Sequence, residues 1–427
     1  MLFLTMLLLF NVSFYAFAGE KEMKNIQIGD YIVDIGFDNC LRWESIEDYD
    51  FSSNDSYSKI YNRFRLNSKI SYKDSFEVFV EGIDAREWVY NIKRGSQFDD
   101  FDLHQAYLYL SNIMDSNLSL KVGRQKLSYG KKRLLAAPTW SNQIRSFDAA
   151  VAKLEFSKLT SDLIFGNAVE YDSNNFNDSQ EGEYLYGTYN TYKAFDFLLV
   201  DFYFLSQIDR KTIVTGEDGR VGHLERYTMG GRFNVEAAKD LNFDFEGDYQ
   251  FGEKGTSDID AYALSFYAEK KFSAIFSPKV KLEFNLASGD NDLTNNEYNT
   301  FIPVYQTTHG PYGIIDFFRW QNMREIALFT SFKPAAKLFL NPEFHWYWLD
   351  NEADAWYRSS GSKMFSNTTG NTASYVGSEY SLVASYELNK NTNFELGYSY
   401  FLCGDVAKKA GDNDGVSFGY LHTIIKF

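Results

Sequence analysis

The chain is poor in several residue types and patterns that mark common fold classes. It has 2 Cys and 6 Pro among 427 residues, which is too few cysteines for a disulfide scaffold. No apolar run of about 18 residues follows the N-terminal segment, so a helical membrane span is excluded there. Positive charge is also scarce, since 42 Lys and Arg stand against 58 Asp and Glu. The resulting net charge of -16 argues against a nucleic-acid partner.

Signals for catalysis and for metal binding are weak. The five histidines are isolated and lack metal-ligand spacing. Neither a glycine-rich phosphate loop nor a nucleophile elbow occurs, and Cys and His do not form a nucleophilic pair in the sequence. We therefore expect no enzyme, no catalytic residues, no metal centre and no cofactor. One exception stays open: Asp290 and Asp292 lie in a polar loop, which is either a divalent-ion or gating loop or a solvated surface turn.

Aromatic residues and alternating polarity are abundant. Phe, Tyr and Trp make up 18% of the chain. Residues 241–251 alternate Leu, Phe, Phe, Tyr and Phe with Asn, Asp, Glu, Asp and Gln at most positions, and this period of two predicts a strand rather than a helix. Similar units of about ten residues recur from Gly36 onward.

The connections between these units alternate between short and long. Residues 72–75, 237–240 and 389–392 are short turns, whereas residues 128–145, 288–318 and 350–374 are long loops. The pattern predicts an all-β fold: a transmembrane antiparallel β-barrel of about 18 strands with short periplasmic turns and long extracellular loops. A last strand that ends on Phe427 agrees with an outer-membrane protein of a Gram-negative bacterium. Eighteen strands would leave an aqueous lumen.

The N-terminal residues indicate export. Residues 1–17 are almost wholly apolar and Ala16-Phe17-Ala18 resembles a small-x-small cleavage site. We predict a signal peptide over residues 1–18 and a single barrel domain over residues 19–427; a membrane anchor is the alternative for the apolar segment. Cys40 and Cys403 could form a disulfide or remain two separate thiols, and their spacing does not decide between these states.

The stretch Asn117–Asp148 reverses the charge balance of the chain. From residue 117 to 147 it contains no acidic residue but seven basic ones: Lys121, Arg124, Lys126, Lys131, Lys132, Arg133 and Arg145. It begins as an alternating strand and continues into a tryptophan-bearing loop. Either this loop meets an anion, or it neutralises acidic groups from elsewhere in the fold. Folding of the loop into the barrel mouth would favour a selective exporter over a plain porin.

Several blocks resemble the alginate-export family of outer-membrane proteins. They are Leu103–Leu110, Leu120–Leu135 with its GRQ-x-x-x-YG-x-x-R-L motif, Trp140–Asn142 and Arg145–Asp148, then Ala287–Asp292 and Val304–Gly313 followed by Asp316, Trp320 and Asn322. The resemblance extends over roughly residues 61–427. It implies an eighteen-stranded barrel that exports a polyanionic polysaccharide such as alginate through an arginine-lined constriction.

Strand parity places a set of cations in the lumen. The candidates for a solute path are Arg42, Arg63, Arg65, Lys69, Lys121, Arg226, Arg232 and Lys281 within strands, and Arg124, Arg133 and Arg145 from the cationic stretch. Arg124 has lipid-facing parity unless it lies above the membrane or follows a bulge. His309 and Asp316 are further candidates for a gating loop.

Two interpretations of the lumen cations stay open. The first is a net cationic filter that binds carboxylates. The second is a paired lumen in which Lys69 lies opposite Glu77, Arg65 opposite Glu81, and Arg232 near Asp244 or Glu246. An acidic stripe of Asp244, Glu246 and Asp248 favours the second.

The sequence thus predicts an outer-membrane channel for saccharides or other anionic solutes, with export of an acidic exopolysaccharide as its sharpest form. A general or small-solute uptake porin is the alternative, and a lipid-acting barrel enzyme is a third. The expected partners are outer-membrane lipid and lipopolysaccharide, which divalent ions could bridge to the acidic outer loops, and periplasmic export proteins.

Overall fold

The chain forms a closed barrel in the computed structural model, which describes residues 23–51, 55–73, 75–90, 98–365, 373–410 and 415–427. In these ranges eighteen long strands, β1 to β18, pair antiparallel with their neighbours, and the first strand pairs with the last. The prediction of an antiparallel barrel of this size is confirmed. The expected signal peptide, residues 1–18, lies outside the described residues.

The barrel strands have the following bounds. They are β1 Tyr31–Glu47, β2 Tyr57–Tyr72, β3 Phe76–Tyr90, β4 Asp99–Leu110, β5 Leu118–Gln125, β6 Phe147–Glu155, β7 Leu159–Glu170, β8 Glu183–Phe195, β9 Leu198–Thr215, β10 Val221–Ala238, β11 Leu241–Lys254, β12 Ser257–Lys271, β13 Lys279–Ala287, β14 Met323–Ala335, β15 Leu338–Trp348, β16 Tyr375–Asn389, β17 Thr392–Cys403 and β18 Gly415–Lys426.

Several short elements accompany the barrel strands. Short strands are Ile26–Ile28, Asp178–Ser179, Glu297–Tyr298, Trp356–Tyr357 and Lys363–Phe365. Two 3-10 turns, Tyr49–Phe51 and Ile113–Asp115, and one short α-helix, Ala407–Ala410, are also present. No helix among the described residues is both long and apolar enough to cross a membrane.

Strand β11 shows why these sequences form the wall. Phe245 is 42% exposed on the outside, whereas Asp244, Glu246 and Asp248 are buried inside the barrel. Successive side chains of a strand point to opposite faces, so one strand presents an apolar face outward and a polar face inward. The apolar side chains of this strand therefore face outward and the charged ones inward, which is the reverse of a water-soluble protein. A membrane barrel requires this arrangement because its outer surface contacts lipid.

The first and last barrel strands meet where the barrel closes. Strand β1 pairs with β18 from Asp38↔Lys426 to Glu47↔Ser417. The rings of Phe37 and Phe427 stack with centroids 4.8 Å apart, and Phe427 N donates a hydrogen bond to Phe37 O. The terminal phenylalanine is therefore part of the seam that closes the barrel.

The β2–β3 hairpin has a different register from the one predicted. Lys69 lies opposite Phe79 rather than Glu77, and Arg65 lies opposite Ile83 rather than Glu81. The observed partners lie two positions further along β3 than the predicted ones, since three residues connect Tyr72 to Phe76. Since side chains two positions apart share a face, the charged pairs survive as diagonal contacts.

The interior of the barrel is packed with loop residues instead of being an open aqueous lumen. Trp320, Phe301, Phe317 and Phe318 come from one long loop and are almost fully buried in a cluster with wall residues such as Phe401. Eighteen strands enclose more space than wall side chains fill, and here inward-folded loops occupy it. Cys40 and Cys403 are both buried, and they are not joined to each other by a disulfide.

Candidate functional site: the lumen and its plug

Two long loops turn inward and meet inside the barrel. Residues 126–146 follow β5, and residues 299–322 precede β14. Ala136 N donates to Tyr305 O at 2.7 Å, and Tyr305 N donates to Leu134 O at 2.6 Å. The loops share backbone hydrogen bonds in the manner of a small sheet, and together we call them the plug.

Arg133 ties the plug to the far wall. Its Nη1 lies 3.0 Å from Glu246 Oε2 on β11, and its Nη2 lies 2.6 Å from Glu283 Oε1 on β13. Arg133 is 4% exposed, so water screens these contacts little. The basic loop from β5 therefore crosses the lumen and neutralises two buried acids of the opposite wall.

Arg42 and Arg63 hold the plug from the near wall. Arg42 Nη1 donates to Trp140 O at 2.7 Å, and its guanidinium lies 3.7 Å from the centre of the Trp140 ring. Arg63 Nη1 donates to Thr139 O at 3.0 Å and to Ser141 O at 2.6 Å. Both arginines face inward and donate to loop carbonyls, and thus position the plug; Arg42 Nε also pairs with Glu44 at 2.6 Å.

His309 joins the two halves of the plug. Its ring stacks on Trp140 with centroids 3.6 Å apart, and its Nδ1 lies 3.2 Å from Asp316 Oδ2. The Trp140 ring also makes roughly perpendicular contacts with the rings of Tyr420 and His422 on β18. His309 and Asp316 therefore lie at the contact between the plug and the seam of the barrel.

Most of the remaining wall cations are paired with acids. Arg65 contacts Asp38, and its Nη1 lies 3.4 Å from Glu81 Oε1. The other pairs are Arg232 with Asp201 at 2.8 Å and Asp244 at 2.6 Å, Lys69 with Asp34 at 3.0 Å, and Lys281 with Glu283. For these four cations the geometry supports the paired lumen rather than the cationic filter.

Lys121 and Arg124, neighbours in the cationic stretch, lie on opposite faces of β5. Lys121 Nζ lies 3.9 Å from the centre of the Tyr107 ring inside the barrel. Arg124 instead pairs with Asp148 at 2.8 Å and donates to Asn177 O in an outer loop. Asp148 alternates with the buried Phe147 and Ala149, so its side chain points away from the lumen. Arg124, its partner, therefore lies outside the lumen, and its place in the predicted solute path was wrong.

The two predicted loop acids have different surroundings. Asp292 is exposed, and its Oδ1 accepts hydrogen bonds from Thr294 N and Oγ1. Asp290 is fully buried, and its N donates to Asp354 Oδ2 at 3.1 Å. Asp292 thus forms an ordinary surface turn, whereas Asp290 helps to join two outer loops.

Three arginines cluster near the outer end of the lumen. Arg145 and Arg319 come from the two plug loops and Arg226 comes from β10. Among the described residues none of the three forms an ion pair; Arg226 Nη1 donates to Gln207 Oε1 and Arg145 lies over Tyr305. Burial, reinforced by the charges of Arg226 and Arg145, lowers the pKa of Arg319 to about 10. We call these three residues the arginine site.

The chemistry of the arginine site favours an anion. Guanidinium groups in a region that excludes water attract carboxylates strongly and can bind them through two parallel hydrogen bonds. Lys254, whose Nζ lies 3.7 Å from the Tyr298 ring, adds a further cation without an ion pair in the part of the chain that the structure describes. One nearby acid, Glu183, accepts hydrogen bonds from Gln207 and Tyr305.

A lipid-facing barrel with a charged, loop-filled lumen defines a channel of the Gram-negative outer membrane. The chain belongs to the alginate export family, whose profile matches residues 31–420. No curated protein is similar enough in sequence to count as a relative. Membership of this family and the barrel architecture indicate a channel of the porin type rather than an enzyme.

Solved structures share this fold at low sequence identity. OccK5 (OpdH) of Pseudomonas aeruginosa is 9% identical, with a TM-score of 0.62 over 92% of this chain and 98% of that chain. OccK3 (OpdO) of the same organism is 12% identical, with a TM-score of 0.61 over 96% and 98%. OccAB2 of Acinetobacter baumannii is 9% identical, with a TM-score of 0.62 over 96% and 99%.

Sequence reasoning missed Arg319 and Trp140 as parts of the site. Parity assigns a face only to residues in strands, and both residues lie in loops. The available signal was their position inside the family-like blocks, since Trp140 opens the Trp140–Asn142 block and Arg319 precedes Trp320. Of the predicted cations, Arg145 and Arg226 come together, although they are 81 residues apart in sequence (226 minus 145).

Proposed function

We propose that this channel passes acidic saccharides and selects for their carboxylates at the arginine site. The observation that carries the proposal is the absence of ion pairs for Arg145, Arg226 and Arg319 among the described residues. Their hydrogen bonds go to neutral acceptors, namely Ala136 O, Gln207 Oε1 and Pro303 O, so their charges are not compensated by an acid. A permeating carboxylate would supply the missing partner. Export of an acidic polysaccharide agrees with the family to which the chain belongs.

The acidic stripe on β11 does not oppose this proposal. Asp244 pairs with Arg232, Glu246 pairs with Arg133, and Asp248 accepts a hydrogen bond from Tyr203 Oη at 2.8 Å. Arginines therefore compensate the charges of Asp244 and Glu246, so two of the three acids of the stripe have little charge left to repel an anion.

Ion selectivity in planar bilayers tests the proposal. The reversal potential under a salt gradient should show preference for anions, and oligouronate should block the current. A variant with Arg145→Gln, Arg226→Gln and Arg319→Gln should lose both properties. Arg220→Gln is a matched control, because Arg220 is an exposed outer-loop arginine that pairs with Asp218. Cation preference in the wild type, or unchanged anion preference in the triple variant, would overturn the proposal.

A small-solute path is the second candidate. The plug packs between opposite walls, with Arg133 reaching β11 and β13 and Arg42 and Arg63 holding the other side. This arrangement suits a narrow route for organic anions, and a polymer would require the plug to move aside. Uptake of radiolabelled monouronate by liposomes, compared with that of a long oligouronate, separates the two candidates.

A further inference from the structure

A polar cavity lies at the opposite end of the lumen from the arginine site. It has a volume of about 360 Å³, within the range of about 300–1,000 Å³ that small-ligand sites occupy. Its walls are the periplasmic ends of β12 to β15, and its roof is the plug, which contributes Lys131 and Pro311. It therefore lies on the periplasmic side of the plug, and we call it the inner pocket.

Lys131 is the exceptional residue of this pocket. It lies two residues before Arg133, which anchors the plug, and it forms no ion pair within the described ranges. Its Nζ lies 5.0 Å from the centre of the Tyr267 ring on β12. Lys131 is exposed to the pocket. Partial desolvation, together with the charges of Arg232, Arg133 and Lys281, lowers its pKa, although Asp244 opposes this shift. An added anion would relieve this accumulation of positive charge.

A second lysine faces the same ring. Lys281 Nζ lies 5.4 Å from the centre of Tyr267 and 3.6 Å from the centre of Phe329. It also pairs with Glu283 Oε2, but Arg133 shares that acid through Oε1, so the charge of Glu283 is divided between two cations. The pocket as a whole is lined by four cations, Lys131, Arg133, Lys279 and Lys281, and three acids, Glu269, Glu283 and Glu343. The net charge of the pocket lining is thus +1 (four minus three), whereas the net charge of the whole chain is -16.

The rest of the lining fits a sugar better than a simple ion. Thr330, Ser331 and Asn341 line the pocket with hydroxyl and amide groups, which can hydrogen-bond to sugar hydroxyls. The Tyr267 and Phe329 rings offer apolar surface to the C–H groups of a pyranose. A free inorganic anion would use the lysines and leave these groups without a role.

We propose that the inner pocket binds a carboxylate-bearing sugar from the periplasmic side, with the carboxylate on Lys131 and Lys281. This inference rests on the proposed function and deepens it, because it assigns the channel a loading site separate from the arginine site. A ligand in the pocket touches the wall through Lys281 and the plug through Lys131. Binding thereby acts on the plug before the solute reaches the arginine site.

Side-resolved block of single channels tests the inference, with digalacturonate as the probe and maltose as its neutral counterpart. Digalacturonate added on the periplasmic side should block the wild-type current, and maltose should not. Loss of one charge-assisted contact should raise the half-blocking concentration about tenfold in Lys131→Gln and in Lys281→Gln. Lys333→Gln is the matched control, since it removes the same charge near the periplasmic rim without touching the pocket lining.

The other possible results of this experiment would count against the inference. Equal block by maltose, an unchanged half-blocking concentration in Lys131→Gln, or block from the extracellular side alone would overturn it. Heat-modifiable migration on gels shows whether each variant forms the barrel. If anion selectivity still depends on the arginine site while Lys131→Gln leaves the block unchanged, the inference fails and the proposed function stands. If the wild type lacks anion preference, the proposed function fails first.

Discussion

Arg133 and Glu283 form an ion pair across the lumen, with Arg133 Nη2 2.6 Å from Glu283 Oε1. The two residues are 150 positions apart in the chain. Arg133 also contacts Glu246, so one plug arginine bridges two wall acids. The contact explains why the most cationic stretch of an acidic chain lies where it does, since it compensates acids that face the inside of the barrel.

We predict that Arg133→Gln releases the plug. Removing one partner of a buried ion pair leaves uncompensated charge and costs about 3–5 kcal/mol. Single-channel recordings should therefore show larger and more frequent openings, and amide hydrogen exchange over residues 126–146 should accelerate. Glu283→Gln is the comparison variant, because Arg133 keeps Glu246 there, and its effect should be smaller. Equal effects of the two substitutions would contradict the assigned geometry.

Arg63→Ala should loosen the plug without changing ion selectivity. Its guanidinium donates to the carbonyls of Thr139 and Ser141, and hydrogen bonds made by charged groups contribute about 1.5–3 kcal/mol. Trypsin should cut more rapidly after Lys131 and Lys132 in this variant, while the reversal potential stays at the wild-type value. A loss of anion preference comparable to that of Arg226→Gln would show that Arg63 acts on the solute directly.

The contact between the outer loops 216–220 and 288–296 should depend on pH. Glu217 Oε2 accepts a hydrogen bond from Asn296 N at 2.9 Å. Burial and the nearby Asp290 raise the pKa of Glu217 from 4.5 to about 7. An acid with a raised pKa contributes stability that is fully present below its ordinary pKa and is lost as pH rises through the raised value. The contact should therefore weaken between about pH 5 and about pH 8.

Hydrogen exchange of these two loops, corrected for intrinsic rates, checks this pH dependence. Exchange should be faster at about pH 8 than at about pH 5, and Glu217→Gln should abolish the difference. Asp292→Asn is the control, because Asp292 is exposed and hydrogen-bonds within its own turn. If the pH dependence persists in Glu217→Gln but disappears in Asp292→Asn, the titrating residue is Asp292 and the assignment to Glu217 is wrong.

Trp140→Ala should make Cys40 accessible to thiol reagents. Cys40 is 1% exposed, its Sγ lies 2.9 Å from His422 Nε2, and Trp140 covers the edge of His422. In a Cys403→Ser background, a methanethiosulfonate should modify the native chain slowly and the Trp140→Ala chain quickly. Equal rates would mean that another part of the plug shields this thiol. The Cys40–His422 contact also shows a pairing that the sequence did not reveal, since 382 residues separate the two.

The wall of the barrel could be predicted from the sequence because the face on which a strand residue lies depends only on its position in the local alternating pattern. Alternation along β11 assigns Phe245 outward and Glu246 inward without knowledge of any other strand. Inward placement of Arg65, Arg226 and Arg232 follows from the same parity. Register was less secure, as the two-position error in the hairpin after Tyr72 showed, because the length of the connection sets every pair in a hairpin.

Only the tertiary structure decided what the inward residues do. Arg63 and Arg226 are both inward-facing arginines in alternating strands, yet Arg63 binds plug carbonyls whereas Arg226 joins Arg145 and Arg319. Their difference arises from loops that fold into the barrel, and loop paths carry no period that a sequence pattern could reveal. The sequence by itself determined a membrane barrel with a cationic segment near residues 117–148. Only the closed barrel brings Arg133 of that segment to Glu283, because charges far apart in the chain share a water-poor interior only after the barrel has closed.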